Sequence, residues 1–199
     1  KFAQLFLEMI ERANEEAQIL KMEDVPPSII NDVMYSSVRQ DSKVAALQDK
    51  YITNANKFIF VVPEYNGSIT GILKLFIDAI SIRNYKENFN QKTSALVGVA
   101  TGRAGNLRGM DHLCSILMHM GSCILPNTLP ISNIKSLQDD EGNIKPEASI
   151  YRVTLDVEDD GEPWKQVVRG LVHVEGESRS VAGQLWEHVA AVFIRESGM

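Results

Sequence analysis

Residues 57–81 read KFIFVVPEYNGSITGILKLFIDAIS, and this stretch decides the fold. Lys57 to Val62 is a continuous run of β-forming apolar residues bounded by turn residues, the pattern of a strand covered on both faces. It reads as a central parallel strand. PEYNGSIT follows as a loop, after which Ile72, Leu73, Phe76, Ile77 and Ile80 recur at helical spacing, with Lys74 and Asp78 on the opposite face. The same order repeats at once. Ser94 to Ala100, SALVGVA, is a second buried strand; TGRAGN is its loop; and Leu107, Met110, Cys114, Leu117 and Met118 mark one face of the next helix. Cys123 to Leu125 is a third short strand, ending at Pro126. Strands alternating with helices through short connections imply right-handed crossovers and a parallel sheet. Such sheets bind ligands at the carboxyl ends of their strands, where both loops lie.

Outward from this centre the texture changes. Phe2, Leu5, Phe6, Met9, Ile10 and Ala13 form the apolar face of an amphipathic first helix. Ala17 to Met22, AQILKM, is a short strand candidate stopped by the turn residues of Asp24 to Pro27, and a polar helix runs from about Asp41 to Tyr51. Downstream, Asp139 to Pro146 is a polar turn segment. Tyr151 to Val157 alternates like a half-exposed antiparallel strand, Val167 to Val174 is another strand candidate, and Val181, Leu185, Trp186, Val189, Val192 and Phe193 form a final amphipathic helix. The chain therefore divides into an α/β domain, 1–135, and an atypical C-terminal strand, strand and helix extension, 136–199.

A chain of 199 residues that is 44% hydrophobic and 23% charged is long enough to bury a core without disulfides or metals. The net charge of −6, with no stripe of Lys and Arg, argues against nucleic acid as a partner. Two cysteines, Cys114 and Cys123, both in apolar surroundings, read as small core thiols, and a reducing compartment is expected. No run reaches the ~20 apolar residues that a bilayer span requires, and the cytoplasm is the expected location. His112 and His119 have no carboxylate partner at ligand spacing, so packing or surface roles are expected for them rather than metal binding.

PEYNGSITGILKLFIDAIS resembles the loop and helix that carry the PEYN motif in the NADPH-dependent FMN reductase family, and TGRAGNLRG with HLCSILMHMGSCILP resembles that family's second flavin-side loop and helix. The resemblance spans about Ala17 to Ser132. It implies a flavodoxin-like, doubly wound parallel sheet and an NAD(P)H-dependent FMN oxidoreductase that passes a hydride through bound FMN to a flavin, quinone or azo acceptor. It also implies a homodimer and a small-molecule electron acceptor. In this reading Pro63, Glu64, Tyr65, Asn66, Gly67 and Ser68 line one side of the flavin ring, and Thr101, Gly102, Arg103, Gly105 and Asn106 lie along its polar edge. A flat ring needs close backbone approach, which Gly67, Gly102 and Gly105 permit for lack of a β-carbon. Arg103 is expected to favour the anionic reduced flavin, and no side chain need act as acid or base. Taken singly, Asn66 and Gly67 are also ordinary turn formers, and Asn106 is a good helix N-cap.

The family begins with a strand and a phosphate-holding loop, and this chain enters directly at the first helix; the expected sheet therefore lacks its usual first strand. The tail offers a strand followed by Gly176 to Ser180 and a helix, the order that a phosphate loop needs, although Glu175 and Glu177 oppose an anion there. From Tyr151 onward, and especially in RGLVHVEGE and AAVFIRESG, the tail resembles the C-terminal end of membrane-fusion or adaptor-type chains. It reads as an unnatural or fused C-terminus rather than a circular permutation. The rival to the enzyme is a flavodoxin-like scaffold or interaction module that has lost tight FMN binding.

Overall fold

The computed structural model describes residues 1–31, 34–36 and 39–144. The strand candidates at Tyr151–Val157 and Val167–Val174, the loop 176–180 and the final helix lie outside them, as does nearly all of the proposed extension. Elements run in the order α1 (Phe2–Arg12), α2 (Ser42–Gln48), β1 (Lys57–Pro63), α3 (Gly71–Ile80), α4 (Tyr85–Asn88), β2 (Thr93–Val99), α5 (Leu107–His119), β3 (Cys123–Ile124) and β4 (Leu129–Ile131).

β1 and β2 pair in parallel over their whole length, from Lys57 opposite Thr93 to Pro63 opposite Val99. On its other side β2 pairs in parallel with β3 near its start and with β4 near its end. This outer strand is thus in two pieces. β4 was not anticipated; among the described residues it pairs with β2 alone, so the N–H that Pro130 lacks costs no second ladder there.

Helices cover both faces. α1 lays Phe2 and Phe6 against Val97, Val99 and Ile131, with Ile59 and Val61 packed alongside. The opposite face holds the larger core, where Leu73, Phe76, Ile77 and Ile80 of α3 and Met110, Leu113 and Leu117 of α5 meet Val62, Leu96 and Phe89. Burying each such side chain contributes about 1.5–3 kcal/mol. β2 is buried from Ser94 to Val99, as a strand between two layers must be.

Several expectations change. β1 is not central among the described residues: it pairs with β2 alone, and four of its residues are only half-buried. Residues 17–22 are not a strand, since among the described residues no neighbouring strand offers them a ladder, and only Met22 enters a helical turn, the 3-10 turn Met22–Asp24. On α5 the buried stripe is Met110, Leu113 and Leu117, whereas Leu107 and Met118 are exposed on its flanks. Cys114 is half-buried with its thiol 3.5 Å from the Met118 sulfur, and Cys123, at the start of the two-residue β3, is exposed; both are free thiols. No helix among the described residues is long and apolar enough to cross a membrane.

Candidate functional site

The loops after β1 and β2 leave from the same sheet edge. β1 ends at Pro63, and the Glu64 N–H donates to the Val99 carbonyl at 2.8 Å, which ties the start of the first loop to the end of β2. Tyr65 and Ser68 then exchange two backbone hydrogen bonds of 3.0 Å around Asn66 and Gly67. Both central residues have positive φ, 52° and 74°, the geometry that an Asn-Gly pair adopts most readily in a two-residue hairpin. The turn projects Tyr65, which is 61% exposed.

The second loop is wedged between β2 and β4. A Cβ at Gly98 would lie 2.2 Å from the Gly105 carbonyl oxygen, and one at Gly105 would lie 2.6 Å from Pro130 Cβ. The loop is braced further by the Asn133 N–H to the Gly102 carbonyl at 3.1 Å and the Ile134 N–H to the Ala100 carbonyl at 3.1 Å. Thr101, Gly102 and Arg103 remain exposed at its crest.

The three glycines expected to admit a ring are therefore not equivalent. Gly105 is buried, and its missing β-carbon admits Pro130; Gly67 serves the turn and faces the Arg108 guanidinium, 3.5 Å from where its Cβ would be. A Cβ at Gly102 would meet nothing within 4 Å.

Asn106 also differs from expectation. It precedes α5 but makes no side-chain cap, and it is 1% exposed. Its Nδ2 donates to the Val62 carbonyl at 3.0 Å, while its Oδ1 is buried without a partner among the described residues. Gly109 makes room for that side chain, since a Cβ there would lie 2.2 Å from Oδ1. Asn106 thus ties the end of β1 to the start of α5 from inside.

Two residues on the outer face of α5 join the site without having been singled out for it. Arg108 lies beside Gly67, and His112 Nδ1 stands 2.8 Å from Ser68 Oγ. Among the described residues Arg103 and Arg108 form no ion pair, and no three His, Cys, Asp or Glu side chains gather as a metal site.

Along the loop from Thr101 to Asn106, no backbone N–H finds an acceptor among the described residues. Among the described residues, the edge therefore offers the unused N–H donors of the exposed stretch 101–104, one glycine with open space over it and two guanidiniums without an ion pair. That arrangement suits a planar, polar-edged ring that accepts hydrogen bonds and gains negative charge.

Residues 1–136 match the family described as NADPH-dependent FMN reductase. A stretch of 88 residues is 35% identical to an NAD(P)H-dependent FMN reductase of Pseudomonas aeruginosa, covering 44% of this chain and 46% of that protein. Over 103 residues the chain is 27% identical to a 2-hydroxy-1,4-benzoquinone reductase of a Burkholderia species, covering 51% and 56% respectively. The chain spans about half the length of the curated relatives it matches. Among solved structures, the flavoenzyme NAD(P)H:(acceptor) oxidoreductase FerB of Paracoccus denitrificans superposes with a TM-score of 0.55 at 24% identity, over 72% of this chain and 76% of that one. The apo form of the NADH:FMN oxidoreductase EMOB gives 0.52 at 18% identity, over 70% and 71%. At these identities the two structures speak to the fold.

Proposed function

The chain belongs to the NADPH-dependent FMN reductase family, and from that membership we propose that it is an NAD(P)H-dependent FMN oxidoreductase acting on a flavin, quinone or azo acceptor. The observation that carries the reading is the carboxyl edge itself, where exposed N–H groups without a partner among the described residues and an open Gly102 lie at the same sheet edge as the turn of the PEYN motif. Bound FMN would supply the chemistry, taking a hydride from NAD(P)H and passing it to the acceptor.

What the protein's own residues do is bind and orient. Pro63, Glu64, Tyr65, Asn66, Gly67 and Ser68 form the wall of the site, fixed by the positive-φ turn and by the Glu64 bond to Val99. Thr101, Gly102 and Arg103 present donors and a permanent cation to the ring's polar edge. Gly105 and Asn106 act from behind: Gly105 packs on Pro130 and Asn106 holds Val62, so that both loops keep one relative position. No side chain is assigned a proton transfer.

A homodimer and a cytoplasmic location are part of this proposal. Tyr65, Leu107 and Met118 are exposed apolar residues on the first turn and on α5, a surface that a second copy would cover, and the two free thiols suit a reducing compartment. The test is oxidation of NADH and of NADPH by the FMN-supplemented protein with a benzoquinone as acceptor, alongside sedimentation of the same sample. Turnover that needs both FMN and the protein supports the enzyme. Folded protein without turnover or flavin affinity supports the scaffold module instead.

A further inference from the structure

We propose that His112 is a positioning residue for the ring-facing turn, acting through Ser68. The inference rests on the flavin reading above. The Tyr65–Ser68 turn closes on itself through its own backbone, and among the described residues its only strand bond is at its entry, from the Glu64 N–H. Among the described residues, the bond between Ser68 Oγ and His112 Nδ1 at 2.8 Å is the only side-chain hydrogen bond made by residues 63–70. It joins positions 44 apart in sequence and binds the far end of the turn to α5.

α5 is a suitable anchor. Its inner face is locked by Met110, Leu113 and Leu117, of which the last two are fully buried, so a side chain on its outer face starts from a fixed backbone. Arg108, one helical turn before His112, lies alongside Gly67, so two successive positions of one helix face run along the turn. Without the clasp, the turn would keep its shape but lose its orientation relative to the crest at Thr101–Arg103. Ser68 and His112 are partly or fully exposed, so their bond matters little for stability and more for where the wall of the site stands.

The experiment is a double-mutant cycle on riboflavin affinity, read by flavin fluorescence, with the parent, Ser68→Ala, His112→Ala and the double variant, each checked for an unchanged thermal midpoint. Each single substitution is expected to weaken riboflavin binding by about three- to tenfold, the scale of one ordinary hydrogen bond. The double variant should be no weaker than either single one, because both remove the same bond. His112→Asn, which keeps a side-chain donor and acceptor near the Nδ1 position, should restore most of the affinity. Losses that multiply in the double variant, or His112→Ala binding as tightly as the parent, would overturn the inference while leaving the flavin reading intact. A parent protein that binds no riboflavin overturns both.

Discussion

Replacing Gly98 by Ala tests how tightly the second loop is pressed onto the sheet. Gly98 is buried in β2, and its new Cβ would stand 2.2 Å from the Gly105 carbonyl oxygen, 3.1 Å from Asn106 Cβ and 3.0 Å from Met110 Cε. The methionine end can swing away. The carbonyl cannot do so easily, because Gly105 is itself against Pro130, with both its backbone and its ring within 3 Å of a Cβ built there. To reach even a marginal contact the loop must move by about 0.8 Å, against a core whose overpacking ordinarily costs about 1–3 kcal/mol, and a backbone obstacle puts the cost at the upper end. The expected result is therefore a loss of about 3 kcal/mol in urea-induced unfolding, together with at least tenfold weaker riboflavin binding as the crest at Thr101–Arg103 shifts. A loss under about 1 kcal/mol with unchanged riboflavin affinity would refute the reasoning, since the loop would then yield freely.

Three further outcomes follow from the same structure. Gln48 is fully buried, and its Nε2 donates to the Arg83 carbonyl at 2.6 Å and to Asn88 Oδ1 at 2.7 Å; Gln48→Met fills similar space but orphans the buried Asn88 oxygen, and should cost about 2–4 kcal/mol in denaturant unfolding. Asp41 caps α2 by accepting from the Lys43 and Val44 N–H groups, and the Ser28 hydroxyl, helped by those N–H groups, holds its carboxyl below the ordinary 3.8. Because the folded-state value is depressed, the contribution is complete above 3.8 and lost as pH falls through the folded value; Asp41→Ala should therefore cost about 1 kcal/mol at neutral pH and converge with the parent in strong acid, checked by thermal melts across pH. Arg103→Ala should lower the midpoint potential of bound FMN by about 10–20 mV, the two-electron equivalent of about 0.5–1 kcal/mol for an exposed charge, and an unchanged potential with intact flavin binding would mean that Arg103 faces solvent.

The two repeated units were legible because β2 and β1 are unbroken apolar runs and α3 carries a clean apolar stripe, signals that need no tertiary information. β4 was not anticipated, and whether Pro130 is tolerated in it depends on which strand is its neighbour. The strand expected at residues 17–22 failed for the opposite reason: local propensity was present, but no ladder among the described residues was there to accept it. At the site, the motif loops and their adjacency could be read from strand order. Spacing could not reveal which face of α5 runs beside the first turn, so His112 and Arg108 went unassigned although they form an i, i+4 pair just inside the helix start. Nor could sequence tell an inward Asn106 from a capping one. What decides it is the space left by Gly109 and the open carbonyl of Val62.

The claim on which the rest depends is that Gly102 marks the place where a flavin ring rests. Since a Cβ there meets nothing within 4 Å and its φ is not in the left-handed region, Gly102→Leu should leave the thermal midpoint unchanged. A riboflavin fluorescence titration of the parent and of Gly102→Leu, run side by side, tests the claim most directly. The account predicts saturable binding by the parent and at least a tenfold loss, about 1.4 kcal/mol, in the variant; equal binding by the two, or no binding by the parent, would contradict it.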